Sequence, residues 1–297
     1  MKVGFIGLGI MGKPMSKNLI KAGYKLVVLD LDKKAVEELV VLGAETTDTP
    51  KDVAQLTDIV ITMLPNSPHV KQVVLGENGL IEGMKKEGIV IDMSSIAPLV
   101  SREIAAKLAT KEVEMLDAPV SGGEPKAVDG TLSVMVGGKK KVFESCYELL
   151  NSMAGSVVLT GDIGAGNITK LANQIIVALN IAAASEALVL ASKAGVEPDL
   201  VYQAIRGGLA GSTVLDAKAP LMMAREFDPG FRINLHIKDL ANVLETSHSI
   251  GVPLPLTASV MEIMQNMNVD GMGDLDHGAL VQYYEKAAKA EVRRNNL

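Results

Sequence analysis

The first twelve residues constrain the fold more than any other stretch of the chain. An apolar run, Val3 to Ile6, has the length of a short buried strand and leads straight into three glycines spaced G-x-G-x-x-G. Those residues are Gly7, Leu8, Gly9, Ile10, Met11 and Gly12, and helical periodicity then continues from Met11 to Ala22. Each glycine has a separate duty in a strand–turn–helix of this kind. Gly7 permits the tight turn, Gly9 lets the backbone approach a ligand closely, and Gly12 lets the helix lie against the strand. The free N–H groups and positive dipole end of the helix then face an anion such as a pyrophosphate. A second apolar strand, Lys25-Leu-Val-Val-Leu29, closes on Asp30, where a carboxylate can accept hydrogen bonds from an adenosine ribose. Together these features predict a dinucleotide site built from Gly7, Leu8, Gly9, Ile10, Met11, Gly12 and Asp30.

The same alternation continues to about residue 160. Strand candidates are Thr57-Asp-Ile-Val-Ile-Thr-Met-Leu64, Gly88-Ile-Val-Ile-Asp92, Val113-Glu-Met-Leu-Asp117, Leu132-Ser-Val-Met-Val136 and Ser156-Val-Val-Leu-Thr160. Helical patterns lie between most of them, as in Ser101 to Ala109 and Lys141 to Met153. Alternating strands and helices predict an α/β fold in which a mostly parallel, doubly wound sheet of Rossmann type carries helices on both faces. From Gly164 onward the strand signal disappears. Ile168 to Ala194, Asp199 to Arg206, Ile237 to Ile250, Leu256 to Met267 and Tyr283 to Arg294 read as helices. The expected division is therefore a dinucleotide-binding domain over residues 1–161 and an all-α domain over 162–297 that begins with a long interdomain helix. That helix is apolar nearly all round, so it needs cover on every side, from the other domain or another subunit. Its stretch from Ile175 to Ala191 is long enough to suggest a membrane span. Asn180, Ser185 and Glu186 interrupt it and Lys170, Asn173 and Gln174 precede it, so a helix buried in protein is expected.

Bulk composition narrows the partners. With 297 residues, 48% hydrophobic and 22% charged, the chain is long enough for two domains with their own cores. Its net charge of −6 argues against broad attraction to nucleic acid or to an anionic membrane, so an anionic substrate must be met by a few local cations. The single Cys146 excludes an internal disulfide framework and fits a reducing cytoplasm, with core filling as its expected role. The N-terminus runs directly into the first strand, so no signal peptide is expected. His69, His236, His248 and His277 show no H-E-x-x-H or carboxylate-clustered spacing, and no metal site is expected.

Four stretches, the glycine turn among them, now carry a resemblance. Phe5-Ile-Gly-Leu-Gly-Ile-Met-Gly12, Asp117-Ala-Pro-Val-Ser-Gly-Gly123, Gly164-Ala-Gly-Asn-Ile-Thr-Lys170-Leu-Ala-Asn173 and Lys238-Asp239-Leu occur in the order found in the β-hydroxyacid dehydrogenases, which the chain resembles along essentially its whole length. Within the family, the matching stretches include Met63-Leu-Pro-Asn-Ser-Pro-His-Val70, Ile91-Asp-Met-Ser-Ser-Ile-Ala-Pro98, Ser121-Gly-Gly-Glu-Pro-Lys126 and Arg206-Gly-Gly-Leu-Ala-Gly-Ser212. The resemblance implies NAD(P)H-dependent reduction of tartronate semialdehyde to glycerate, and the reverse oxidation. Related activities, the reduction of succinic semialdehyde or the oxidation of 3-hydroxyisobutyrate, stay open. So does a different class, a catalytically silent binding module, against which the retained Lys170 argues.

The chemistry of each motif can be read beside that resemblance. Hydride delivery to an aldehyde leaves charge on oxygen, so a proton donor or cation must sit beside it. Lys170 is the candidate: the apolar sequence after it suggests partial desolvation, which disfavours the ammonium form, and the resemblance implies the general acid–base role. Asn173 and Gln174 lie three and four residues later on the same helical face, suited to orienting the lysine or holding a substrate hydroxyl. Much of the family has paired asparagines there, so Gln174 is a departure. Ser121, Gly122 and Gly123 offer a hydroxyl and backbone N–H groups suited to a carboxylate, and the resemblance makes them the substrate-carboxylate loop. Lys238 is expected near the substrate or nicotinamide, with Asp239 fixing it or capping a helix. Leu64, Pro65 and Asn66 follow one strand end and Ser94 and Ser95 the next, the crevice where α/β sheets bind ligands. Asp30 favours NAD, because its carboxylate repels a 2′-phosphate, although Lys33 and Lys34 leave NADP possible after Leu31 and Asp32. Arg206 reads equally as a substrate or subunit contact and as a solvated turn residue. The expected active site lies in the cleft between the domains, in a homodimer or homotetramer.

Overall fold

Short runs of branched apolar residues become strands because both faces of a parallel sheet are covered, and most of these runs end where a glycine or an acid turns the chain. The computed structural model describes residues 2–294. The strands are β1 (Lys2–Ile6), β2 (Lys25–Leu29), β3 (Glu45–Thr46), β4 (Ile59–Thr62), β5 (Ile89–Asp92), β6 (Glu114–Asp117), β7 (Val120–Ser121), β8 (Leu132–Gly137) and β9 (Ala154–Gly161). The helices of the same segment are α1 (Gly12–Lys21), α2 (Lys33–Val41), α3 (Pro50–Leu56), α4 (Ser67–Leu75), α5 (Leu80–Gly83), α6 (Pro98–Ala109), α7 (Gly123–Asp129) and α8 (Lys140–Asn151). A long helix α9 (Ala165–Lys193) follows, then α10 (Pro198–Ile205), α11 (Thr213–Ala224), α12 (Ile233–Ser249), α13 (Pro255–Val269) and, after a short 3-10 turn, α14 (Val281–Ala288).

The sheet order is β3-β2-β1-β4-β5-β6-β8-β7, with β9 paired to β8. Strands β1 to β6 are parallel, β8 runs antiparallel to β6 and β7, and β9 lies parallel to β8. The chain leaves β1 toward β2 on one side and returns to β4 on the other, which opens a crevice at the carboxyl ends of β1 and β4. Period-two alternation then divides the core. Val3, Phe5, Val28, Ile61 and Ile91 face α1, α2, α7 and α8. Their neighbours Ile6, Val27, Val60 and Val90 face α3, α4, α5 and α6. Cys146 fills the first of these layers and is fully buried.

The chain divides into two compact units, residues 1–170 and 171–297, and the division falls inside α9. The second unit has its own core, in which Leu171, Ala178, Ile181 and Leu188 of α9 pack with Tyr202, Met222, Leu240 and Met264. Among the described residues α9 is the helix long and apolar enough to cross a membrane, but those side chains are spent on this core, while Ile176 and Leu190 point outward. Helix α11 is absent from the pattern read in the sequence, because Pro220 lies inside it. The terminal helix ends at Ala288, earlier than Arg294, where Lys289 turns to φ +50°.

The start of α9 is pressed backbone to backbone against the sheet. A Cβ on Gly166 would strike the carbonyls of Asp117 and Met135, whereas one on Gly9 would meet nothing within 4 Å. Alanine normally favours a helix over glycine by about 1 kcal/mol, yet overpacking against backbone costs about 1–3 kcal/mol. Gly166→Ala is therefore expected to lower the urea-unfolding free energy, and Gly9→Ala to leave it within about 0.5 kcal/mol. Equal stabilities for the two variants would contradict this packing.

Candidate active site

The glycine turn after β1 has the geometry its spacing predicts. Gly7 holds φ +98°, a Cβ there would strike the Met63 carbonyl, and one on Gly12 would strike the Gly7 carbonyl. Gly9 is exposed with open space beside it, and Ile10 is half exposed, so the accessible side of the loop lies at these residues and Met11. Asp30 ties this loop to β2: one carboxylate oxygen accepts from the Leu8 N–H and the other from the Asp32 N–H at 2.7 Å. Asp32 in turn caps α2 by accepting from Lys34 N–H at 3.0 Å. The acid thus shapes the loop as well as standing beside it, a role the spacing alone did not reveal. An open cradle at Gly9 with a carboxylate behind it fits a dinucleotide.

The ends of β4 and β5 form a second cluster. Thr62 Oγ1 donates to Asp92 Oδ1 at 2.8 Å, and the Ser94 N–H donates to the same oxygen at 3.2 Å. Ser94 Oγ accepts from the Leu64 N–H at 2.8 Å. Asn66 caps α4 through the Ser67 N–H, and Ser67 Oγ accepts from the Ala97 N–H at 3.2 Å. Pro65 is exposed, and Leu64, Asn66 and Ser95 are half-buried, so all four present surface, whereas Ser94 is fully buried. Through its bond to the Leu64 N–H, Ser94 braces Leu64. Burial pushes the Asp92 carboxyl up to about 6, although Ser94 and Thr62 pull it down, and the nearby Asp117 adds to the rise.

The end of β6 meets the start of α9. Asp117 accepts from the Gly164 N–H at 2.6 Å and the Asn167 N–H at 2.7 Å. Burial pushes this carboxyl up to about 6 as well, against the pull of the same N–H groups. Beyond Asp117, Ser121 is half-buried on β7, and Gly122 and Gly123 adopt φ of +136° and +68°, a left-handed pair that lets the chain turn into α7. Lys170 stands on the second turn of α9, only 7% exposed.

The remaining candidates cluster in the second unit. Asn173 Nδ2 donates to Gln174 Oε1 at 2.8 Å, Gln174 Nε2 donates to Asp239 Oδ2 at 2.6 Å, and Lys238 Nζ lies 2.9 Å from Asp239 Oδ1. Asp239 sits inside α12, so it holds Lys238 instead of capping a helix. Gln174 is buried and its bond to Asp239 tethers α9 to α12; Asn173 keeps exposed surface. A pair of buried histidines escaped the sequence reading. His277 Nδ1 and His236 Nδ1 lie 3.0 Å apart, and His236 Nε2 is 3.4 Å from the Gln174 carbonyl. In the neutral pair, only a proton on His236 Nε2 and another on His277 Nδ1 satisfies both contacts. Arg206 is held by Asp216 at 3.1 Å and stacks on Tyr202. No group of metal-ligating side chains occurs among the described residues.

Comparison with known proteins agrees with this geometry. Residues 2–161 match the NAD-binding domain of 6-phosphogluconate dehydrogenase, and residues 164–284 match the NAD-binding domain of NADP-dependent 3-hydroxyisobutyrate dehydrogenase. The chain is 45% identical to 2-hydroxy-3-oxopropionate reductase of Escherichia coli K12, covering 97% of this chain and 98% of that one. It is 36% identical to 2-(hydroxymethyl)glutarate dehydrogenase of Eubacterium barkeri, over 98% and 97% of the two chains. The solved structure of Mycobacterium tuberculosis 3-hydroxyisobutyrate dehydrogenase with L-serine superposes with a TM-score of 0.88 at 29% identity, over 95% of this chain and 98% of that one. Fold and site define an NAD(P)-binding oxidoreductase acting on CH–OH groups. The chain belongs to the β-hydroxyacid dehydrogenase family.

The raised Asp92 carboxyl yields a stability prediction. Its folded value of about 6 lies above the ordinary 3.8, so the folded chain loses stability as pH rises through that window and the buried group ionises. Asp92→Asn removes that loss. Its melting temperature should exceed the parent's at about pH 7.5, with the gap closing toward about pH 4.5; a gap that widens on acidification would refute the assignment.

Proposed function

We propose that this protein is a tartronate semialdehyde reductase, producing glycerate with NADH in preference to NADPH and catalysing the reverse oxidation. The observation that carries the reading is the buried lysine Lys170, on a helix whose first turn is bound to the ends of the nucleotide-binding sheet. The substrate follows from the 45% identity to a relative named for that reaction; the 36% identity to a hydroxymethylglutarate enzyme marks how related sites take other acids.

The residues divide the work by chemistry. The loop Gly7 to Gly12 holds the pyrophosphate, Asp30 the adenosine ribose, and Leu64, Pro65, Asn66 and Ser95 border the nicotinamide end. Bound there, the nicotinamide supplies the hydride. Ser121 and the N–H groups of Gly122 and Gly123 hold the substrate carboxylate. Asn173 takes the substrate hydroxyl. As the aldehyde carbon gains hydride, the carbonyl π electrons move to oxygen, and the Lys170 ammonium gives that oxygen its proton. Lys238, fixed by Asp239, adds positive charge to a site that must attract an anion to an acidic protein. The carboxylate of Asp30 disfavours a 2′-phosphate, hence the preference for NAD. The same reading takes exposed Ile176 and Leu190 as contacts to a second copy in a cytoplasmic dimer or tetramer that engages neither nucleic acid nor membrane.

Lys170→Ala is expected to lower kcat by about 10²–10⁴-fold while NADH affinity, read by fluorescence titration, holds. Unchanged turnover removes Lys170 from the chemistry. In a panel of short aldehyde acids, kcat/KM should be highest for tartronate semialdehyde; a higher value for succinic semialdehyde, or for oxidation of 3-hydroxyisobutyrate, replaces the substrate. Asp30→Ala should weaken NADH more than NADPH, and an equal loss of both overturns the cofactor preference.

A further inference from the structure

The motif around Gly164 contains a second polar residue with no assigned duty. Asn167 is fully buried, yet every polar atom of its side chain is engaged. Its Oδ1 accepts from the Ile96 N–H at 3.1 Å, and its Nδ2 donates to Ser101 Oγ at 3.1 Å. Its own N–H goes to Asp117, whose other oxygen takes the Gly164 N–H. Ile96 lies two residues beyond Ser94, whose hydroxyl holds Leu64. A continuous polar path therefore runs from the segments after β4 and β5, through one asparagine, into the first turn of α9.

We infer that Asn167 is a positioning residue for Lys170, with Asp117 as its anchor. The inference rests on the proposed role of Lys170 in proton transfer. Asn167 precedes Lys170 by three residues, so the two side chains leave the same face of α9. Van der Waals packing on an apolar helix sets its distance from a sheet but resists rotation about the helix axis only weakly. Two directed hydrogen bonds from one side chain fix that rotation, and with it the depth and direction of the Lys170 amine. The carboxylate of Asp117 fixes axial position by receiving two of the N–H groups that open the helix. A displacement of about 1 Å at a reacting group is enough to cost about 10²-fold in rate.

The test uses the full-length protein and two independent readouts. In the first, Lys170 is labelled by an amine-specific reagent and its modification rate is followed by mass spectrometry, with exposed Lys86 as internal reference. Asn167→Ala should raise the Lys170 rate several-fold and leave Lys86 unchanged. In the second, kcat is measured for Asn167→Ala, Lys170→Ala and the double variant. Loss of Asn167 should lower kcat by about 10–100-fold when Lys170 is present and add nothing when it is absent, with NADH affinity kept throughout. An unchanged labelling rate, or losses that multiply in the double variant, overturns the inference. Should Asn167→Ala fail to fold, Ser101→Ala removes one of the two side-chain bonds and must show the same effects in reduced form, or the inference falls. Wild-type turnover in Lys170→Ala would sink the proposed chemistry instead, while the labelling arm still decides whether Asn167 holds the amine.

Discussion

A buried carboxylate at the mouth of a long helix governs this molecule. Asp117 ends an apolar strand and turns both oxygens toward backbone N–H groups at the start of α9. An unpaired charge at that depth would be prohibitive, and burial does raise the carboxyl to about 6. Two short hydrogen bonds and the positive end of a 29-residue helix offset that burden. The exchange is structural: the sheet that shapes the nucleotide crevice also dictates where α9 begins, and hence where Lys170 stands. Glycines complete the junction, since any side chain on Gly137 or Gly166 would fill the space that the Asp117 carboxylate and the facing backbone occupy.

Seen from that junction, two polar clusters stand out, each built within its own unit. In the first, Thr62, Asp92, Ser94 and Leu64 bind one another across neighbouring strand ends, and Asn167 joins the adjacent segment to α9. In the second, Asn173, Gln174, Asp239 and Lys238 form a chain from α9 to α12. Helix α9 belongs to both. Its apolar middle supplies the second core, and its polar start holds Lys170, Asn173 and Gln174, which explains a sequence that resembles a membrane span preceded by a cluster of amides.

Much of the fold was legible because its signals are local. The strand, G-x-G-x-x-G and helix sequence from Val3 to Ala22 names its own turn, and the loss of strand patterns after Gly164 marks the helical second half. Strands β3 and β7, two residues each, are too short to leave a period. Pro220 hid α11 by interrupting its helical pattern. Within the candidate site, motifs point to Lys170 and Ser121, and spacing points to Asp30. The roles of Asp92, Asp117 and Asn167 were not, because each is defined by partners 30 to 71 positions away. Ser94 illustrates the limit: its bond to the Leu64 N–H joins residues 30 positions apart, which no local pattern shows.

The account stands on the placement of one amine. A crystal structure of the holoenzyme with an unreactive aldehyde-acid analogue measures it directly. Lys170 Nζ should lie about 2.6–3.2 Å from the oxygen that replaces the carbonyl, with the analogue's carboxylate on Ser121, Gly122 and Gly123. A lysine turned away into solvent, with a different group on that oxygen, would contradict the account.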